Sequence, residues 1–326
     1  MILQYIVDDS NKYSSLKEVL KAEFNMSDRL LLKLKKLQQI YLNNEVTYIN
    51  HSIKQSDIIK CHLDYNEDSS NIVATEMALD IIYEDEAFLI VNKPAGIPVH
   101  PSMEHYADSL SNGIKFYFDQ INLRKKIRPV NRLDKDTSGI VIFAKNEYIQ
   151  ECLIKQMKTN SFIKKYIAVV EGHLSKTVGT INAPISRKEG SIIERCVNEN
   201  GDIAITHYKV LNTKSSYAVV ECILETGRTH QIRVHFSHIG HPLLGDTLYG
   251  TDSCLINRQA LHAYKVEFIH PITKKKFELT ASIPDDIQKL INANREDFYL
   301  SVFIYCIKSI IRVLSRIVIY LVLILL

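Results

Sequence analysis

Apolar residues recur at helical spacing at Leu16, Val19, Leu20 and Phe24, which predicts a helix over SLKEVLKAEF. Ser27 and Asp28 then offer an N-cap for DRLLLKLKKLQQI, a second helix that carries Lys33, Lys35 and Lys36 on or near one side. Short β-like runs follow, VTYIN and IKQSDIIKCHL, joined by a polar His-Ser turn. Residues 13–63 are therefore expected to form a small module of two helices and a β unit. DYNEDSSN has no periodicity, so residues 64–79 are expected to be a linker. From Asp80 the pattern turns to strands. IIYEDEAFLIVNKP reads as two β runs around Glu84-Asp85-Glu86, closed by Pro94, and PAGIPVHPS as a shaped loop. Further strand-like runs are IVIFAK, KKYIAVVEG, AITHYKVLN, YAVVECILET and KKFELTASI, with helical segments near 107–120, 147–159 and 230–239. Strands outnumber helices and do not alternate with them. That predicts an α+β domain over residues 80–290, built on a mixed, mainly antiparallel sheet with flanking helices, rather than a parallel βαβ fold.

From Tyr299 onward the chain is strongly apolar, and its last ten residues carry no charge. A bilayer span needs roughly 20 mostly apolar residues, and this tail reaches that only by including Lys308, Arg312 and Arg316. Those three fall on one side of a helix, which fits an amphipathic helix lying on a membrane, or docked on the protein, better than a clean span. A weak membrane association through residues 299–326 is the resulting expectation. A tail anchor and an extension without a role stay open beside it.

Composition narrows the class. A chain of 326 residues with 46% hydrophobic and 24% charged residues can form a globular core, and it is long enough for more than one domain. Net charge is only +3, so attraction to nucleic acid must come from local patches. Six cysteines are scattered without a CxxC pair, which points to a reducing compartment. MILQYIVDDS lacks the basic start and long apolar core of a signal peptide, so a cytoplasmic protein is expected.

Candidate chemistry gathers in RPVNRLDKDTSGIVIFAKN, where Asp134 and Asp136 precede a buried-strand run. The Asp136-Thr137-Ser138-Gly139 turn makes the two acids diverge, which argues against the paired carboxylates of a glycosidase. Asp136 is then a turn former, and Asp134 a lone carboxylate near arginines, suited to a nucleophile kept ionised. A buried Asp–Arg pair of structural role is the alternative. In ECILETGRTHQIRVHFSHIGHPLLGDTLYG, Thr229 is placed to cap a short helix, and Arg228 sits at a strand-to-helix junction that favours anions. His230, His235, His238, His241 and Asp246 are dense, but no acid has zincin spacing. Histidines that serve hydrogen bonds or phosphates are preferred to a metal site.

Together NRLDKDTSG, KKY, TGRTHQIRVH, HPLLGDTLYG, RQALHAYKVEFIHP and VNKPAGIPVHPS resemble the RluA-type pseudouridine synthases, in particular the ribosomal large-subunit type with an N-terminal S4-like domain. The resemblance covers about residues 13–290 and makes 13–63 an S4-like RNA-binding domain and 80–290 the catalytic domain. It implies an isomerase that converts uridine in RNA to pseudouridine without metal or organic cofactor. By the same resemblance Asp134 is the nucleophile, Tyr166 packs against the base and helps remove the C5 proton, and Arg228 orients the aspartate. Arg132 would fill the gap left by the flipped nucleotide. The RNA-facing set expected with it is Asn131, Lys33, Lys35, Lys36, Lys93, His230, Gln231 and Arg233. The family usually has histidine where this chain has Asn131, which keeps a hydrogen bond but does not titrate near neutral pH. A monomer acting on ribosomal RNA, or on transfer RNA, is implied. An RNA-binding or ribosome-assembly factor that has lost catalysis is the alternative from another class, against which the intact Asp134, Tyr166 and Arg228 stand.

Overall fold

The computed structural model describes residues 1–8, 12–159 and 161–293. The chain divides into two compact units, one of Met1–Lys135, Ile140–Phe162 and Glu267–Leu279, the other of Asp136–Gly139, Ile163–Val266 and the described chain from Thr280. In chain order the first unit supplies β1 (Ile2–Ile6), α1 (Leu16–Ala22), α2 (Asp28–Lys36), β2 (Ile40–Leu42), β3 (Glu45–Val46), β4 (Ile58–His62), β5 (Ile81–Glu84), β6 (Phe88–Lys93), α3 (Leu110–Gln120), most of β7 (Ser138–Ala144) and α4 (Glu147–Met157). The second supplies β8 (Ile163–Glu171), β9 (Val178–Asn182), β10 (Ile185–Arg187), β11 (Arg195–Val197), β12 (Ile205–Thr213), β13 (Tyr217–Leu224) and α5 (Gln231–His238). It also holds most of β14 (Leu261–Ile269) and α6 (Asp285–Asn292), while the chain returns to the first unit at the end of β14 and for nearly all of β15 (Lys276–Thr280).

In the N-terminal module the two expected helices are present, and Ser27 caps the second as expected, its Oγ accepting from Leu30 N at 3.1 Å. The sheet is larger than expected. Its order is β1-β4-β2-β3, so it takes in Ile2–Ile6, upstream of the start expected at residue 13. The VTYIN run gives only the end of β3; Thr47 and Tyr48 leave the sheet, and Tyr48 is 74% exposed. The expected split at 64–79 is not where compactness breaks, because Glu67 from that stretch is buried among charges. Arg128 grips it with two nitrogens at 2.6 Å each. Lys33 reaches both Glu67 at 2.9 Å and Glu147 at 2.8 Å. Burial would raise the Glu67 pKa, but Arg128 and Lys33 overcome it and hold the carboxyl at about 2. Lys33, expected to face RNA, is thus engaged within the protein: its ammonium bridges two largely buried carboxylates that Arg128 and Arg29 also contact.

The catalytic-size region holds the expected α+β architecture. In the first unit β5 pairs antiparallel with β6, which borders β7. Leu89 and Val91 of β6, Ile114 and Phe118 of α3, and Val141 and Phe143 of β7 share one core. Every residue of β7 is buried, which is why its sequence is a continuous apolar run rather than an alternating one. In the second unit β8, β13, β12 and β9 pair antiparallel in that order. The start of β7 lies parallel to β14, His262 opposite Ser138 and Ala263 opposite Gly139, so the sheet is mixed. The core of this unit joins Ile167 and Val169 of β8 to Tyr217 and Val219 of β13 and to Ile287 and Leu290 of α6.

Among the described residues no helix is long and apolar enough to cross a membrane. The apolar stretch expected over 299–326 lies outside the described residues.

The buried carboxylate gives a signed pH dependence. Glu67 has a folded pKa of about 2, below a free glutamate's ~4.3, so its contribution is complete above that free value and is lost as pH falls toward 2. Glu67→Gln is expected to lower the urea midpoint at pH 7, with the gap to the parent protein closing steadily below about pH 4. A gap of constant size across that range would contradict the ion-pair account.

Candidate active site

Two buried side chains from separate stretches hold the loop that carries Asp134. Lys93 ends β6 and is fully buried. Its ammonium donates to the carbonyls of Pro94, Ile97 and Lys135, each at 2.8 Å. Three N–H donors thereby meet three backbone acceptors, and the VNKPAGIP loop is tied to the residue after Asp134. Gly96 N adds a bond to the same Lys135 carbonyl at 3.0 Å. On the other side Asn131 is buried, donates from Nδ2 to Ile140 O at 2.9 Å and accepts at Oδ1 from Ile142 N at 3.0 Å. Both residues were expected to face RNA; both are instead buried supports of the loop, because each bonds backbone groups of the loop or of the strand it enters. Asn131 uses an amide donor and an amide acceptor at once, which explains why a residue that does not titrate serves at this position. Between these supports Arg132 and Lys135 are exposed and Asp134 is half-buried.

In the second unit the turn that follows Asp134 is held by a stretch to which no role attached in the sequence, RQALHA. Arg258 donates from one terminal nitrogen to Asp136 O at 3.0 Å, while its guanidinium is gripped by Asp286 at 2.7 and 2.9 Å. Gln259 reaches Thr137 Oγ1 at 3.3 Å, and His262 Nδ1 shares a 2.9 Å hydrogen bond with Ser138 Oγ. Burial pushes the His262 pKa down to about 4, so the ring is neutral at pH 7. Gly139 has φ +119°, and a Cβ there would come within 2.3 Å of Ala263 O, so only glycine closes this turn. Asp136 was expected to shape the turn by its side chain; the hold comes instead from Arg258, Gln259 and His262. The basic and amide residues of RQALHA were the available signal, but pairing them with DTSG requires the fold.

Tyr166 lies on β8 opposite Cys222 of β13 and is 6% exposed. The helix expected near 230–239 is α5, but its N-cap is His230, with a left-handed φ of +59°, rather than Thr229. Arg228 donates from Nε to Ile203 O at 3.0 Å and lies 3.4 Å from Asp202, an exposed pair. The deeply placed guanidinium of this stretch is that of Arg233, which donates to both oxygens of buried Asp246 at 2.7 and 2.8 Å. Gln231 is buried as well, accepting from Arg228 N and donating to Ile205 O. Gln231 and Arg233 were expected to face RNA; here they tie α5 to β12 and to the Asp246 turn. His230 Nδ1 lies 2.8 Å from the Tyr249 hydroxyl. His235 has both ring nitrogens engaged, by Thr206 Oγ1 and Ala183 O at 2.9 Å each, and burial lowers its pKa. His241 Nδ1 meets Glu171 O at 2.8 Å. His230, His235 and His241 therefore bond the protein's own groups, as the hydrogen-bonding expectation had it, while His238 is exposed.

Comparison with known proteins places this arrangement. A family model described as RNA pseudouridylate synthase matches residues 87–238. An uncharacterized RNA pseudouridine synthase of Bacillus subtilis, YhcT, is 40% identical over 290 residues, 88% of this chain and 96% of that protein. Ribosomal large subunit pseudouridine synthase D of Xanthomonas campestris pv. campestris is 36% identical over 245 residues, 71% of this chain and 74% of that protein. Among solved structures, human RNA pseudouridylate synthase domain containing 1 superposes with a TM-score of 0.53 at 27% identity, over 64% of this chain and 84% of that chain.

Lys93 carries a direct test of the loop's support. Lys93→Met removes the ammonium and leaves the Pro94 and Ile97 carbonyls without that donor and the Lys135 carbonyl with Gly96 N alone, so a loss of roughly 3 kcal/mol is expected in urea unfolding. A loss below about 0.5 kcal/mol, the range of ordinary surface substitutions, would show that the ammonium is not what holds the loop.

Proposed function

The chain belongs to the RNA pseudouridine synthase family, and on that premise we propose that it isomerises specific uridines of ribosomal RNA to pseudouridine with Asp134 as the nucleophile. The observation that carries the proposal is the presentation of Asp134: half-buried, at the head of a buried strand, on a loop fixed by Lys93 and Asn131. A carboxylate so fixed is held in one orientation and does not have to be ordered at the moment of attack.

The reaction breaks the N1–C1′ glycosidic bond and forms a C5–C1′ bond, while one proton leaves C5 and one returns to N1. It is an isomerisation with no net oxidation or hydrolysis, so the proposal invokes neither cofactor nor metal. The target uridine must first leave its stack, at a cost of a few kcal/mol. Arg132, exposed beside Asp134, is suited to occupy the vacated space, its guanidinium plane stacking on neighbouring bases. Tyr166 supplies a buried aromatic ring for the extruded base and a phenolic oxygen for the C5 proton. Arg228 is assigned the orienting role from the family motif, with Asp202 and Ile203 O as its partners in its own unit.

In the S4-like module the RNA grip is assigned to Lys35 and Lys36. They line a cavity of about 260 Å³ with Leu32, Gln38, Val46, Thr47 and the exposed Tyr48. Lysines beside an exposed aromatic ring combine phosphate attraction with a stacking surface for an unpaired base. Ribosomal RNA is chosen over transfer RNA because relatives such as the Xanthomonas campestris protein are named for the large ribosomal subunit. The proposed working state is a cytoplasmic monomer.

Asp134→Asn is expected to reduce pseudouridine formation in ribosomal RNA by roughly a thousandfold or more, with RNA affinity and melting temperature near those of the parent protein. Chemical mapping of pseudouridine by primer extension reads this directly, and an active Asp134→Asn protein would end the nucleophile assignment. Reversing Lys35 and Lys36 to glutamate is expected to weaken RNA binding and flatten its salt dependence, by about 0.7–0.9 in log–log slope for each phosphate that is no longer neutralised. Unchanged affinity and slope in that double variant would remove the module's basic face from the RNA interface.

A further inference from the structure

Lys164 is the second residue of β8, two before Tyr166, so the two side chains project from the same face of the strand. β13 runs antiparallel beside it, with Lys165 opposite Ile223 and Tyr166 opposite Cys222, and then turns through Thr226 and Gly227. The Lys164 ammonium rests against that turn: a Cβ on Gly227 would sit 3.3 Å from Nζ. Glycine at 227 thereby leaves the space that the amine occupies.

Among the described residues Lys164 has neither a hydrogen bond nor an ion-pair partner, although it is half-buried. Other cations of this region are engaged: Arg233 with Asp246, Arg258 with Asp286, and Arg228 with Asp202. Burial lowers the Lys164 pKa, the sign of an amine whose charge is poorly solvated. A cation in such surroundings without a counter-charge is unfavourable, and a ligand that brings an anion repays that cost on binding. The substrate of the proposed reaction carries one negative charge per nucleotide, on its phosphate.

We propose that Lys164 is a substrate-contacting residue whose ammonium binds a phosphate oxygen of the RNA strand beside the nucleotide that enters the site. The proposal rests on the reading of the chain as a pseudouridine synthase acting on RNA. Lys164 and Tyr166 then work as a pair on one strand face, the lysine fixing the backbone and the tyrosine the base. Gly227 keeps the amine in place, because a side chain there would crowd the Lys164 ammonium.

The test measures the Kd of the full chain for an in vitro transcript of large-subunit ribosomal RNA across a range of salt, with pseudouridine formation followed in the same transcript. Lys164→Met is expected to raise Kd roughly tenfold at moderate salt and to reduce the log–log salt slope by about 0.7–0.9, the signature of one phosphate left without its cation. Lys164→Arg keeps the charge and is expected to restore the slope. A Lys164→Met protein with the parent's Kd and slope would overturn the proposal. If that variant fails to fold, the parent protein decides: acetylation of Lys164, read by peptide mass spectrometry, is expected to be blocked by the transcript, and equal labelling with and without RNA overturns the assignment. A parent protein that binds the transcript but forms no pseudouridine in any ribosomal RNA removes the catalytic reading, and the slope still reports on Lys164. A parent protein that forms pseudouridine while Lys164→Met leaves the slope unchanged removes the phosphate-binding role of Lys164 alone.

Discussion

The buried ammonium of Lys93 is the interaction on which the candidate active site depends. A loop that enters a fully buried strand carries carbonyls that the sheet does not satisfy. Lys93 gathers three of them, from Pro94, Ile97 and Lys135, and so joins two loops far apart in sequence at the residue next to Asp134. A neutral side chain of similar length would fill the space but deprive the carbonyls of this donor. Asn131 completes the arrangement by bonding Ile140 and Ile142 of β7, and the turn beyond Asp134 is held in its own unit by Arg258, Gln259 and His262. The chain thus fixes the candidate nucleophile through the backbone that flanks it.

The same logic separates cations that build the protein from cations left for a ligand. With a net charge of only +3, the chain cannot attract RNA by its overall field, so each free cation counts. Lys33, Lys93, Arg128, Arg233 and Arg258 all pair with buried acids or carbonyls. Their removal would expose the protein's own unsatisfied groups before it affected any partner. Arg132, Lys35 and Lys36 stand at the other extreme, with exposed side chains. Lys164 belongs to neither class, half-buried yet without a partner of its own among the described residues, and this is what sets it apart.

Much of the fold was legible because its signals are local. Helical spacing located α1 through α5, and the unbroken apolar run of Ile140 to Ala144 marked a strand buried on both faces. The RLDKDTSG segment and its companion motifs were legible as a set, and the family they resembled is the one the chain belongs to. The misjudged residues share one feature. Lys33, Lys93, Asn131, Gln231 and Arg233 are polar, and the resemblance placed them facing RNA. Each is buried or half-buried and bonded to a partner from 9 to 114 residues away, as Asn131 to Ile140 and Lys33 to Glu147 show.

The sequence by itself determined the α+β class, most element positions, the family and the identity of the candidate nucleophile, because periodicity, turn chemistry and contiguous motifs are properties of neighbouring residues. Only the tertiary structure decided which polar side chains serve the protein's own groups. That choice depends on whether a buried carboxylate or carbonyl, contributed from far along the chain, already occupies each donor. No local pattern encodes it: Lys93 and Lys164 are both basic residues at or next to the end of a strand, and what separates them is the three carbonyls that surround one and the absence of any partner for the other among the described residues.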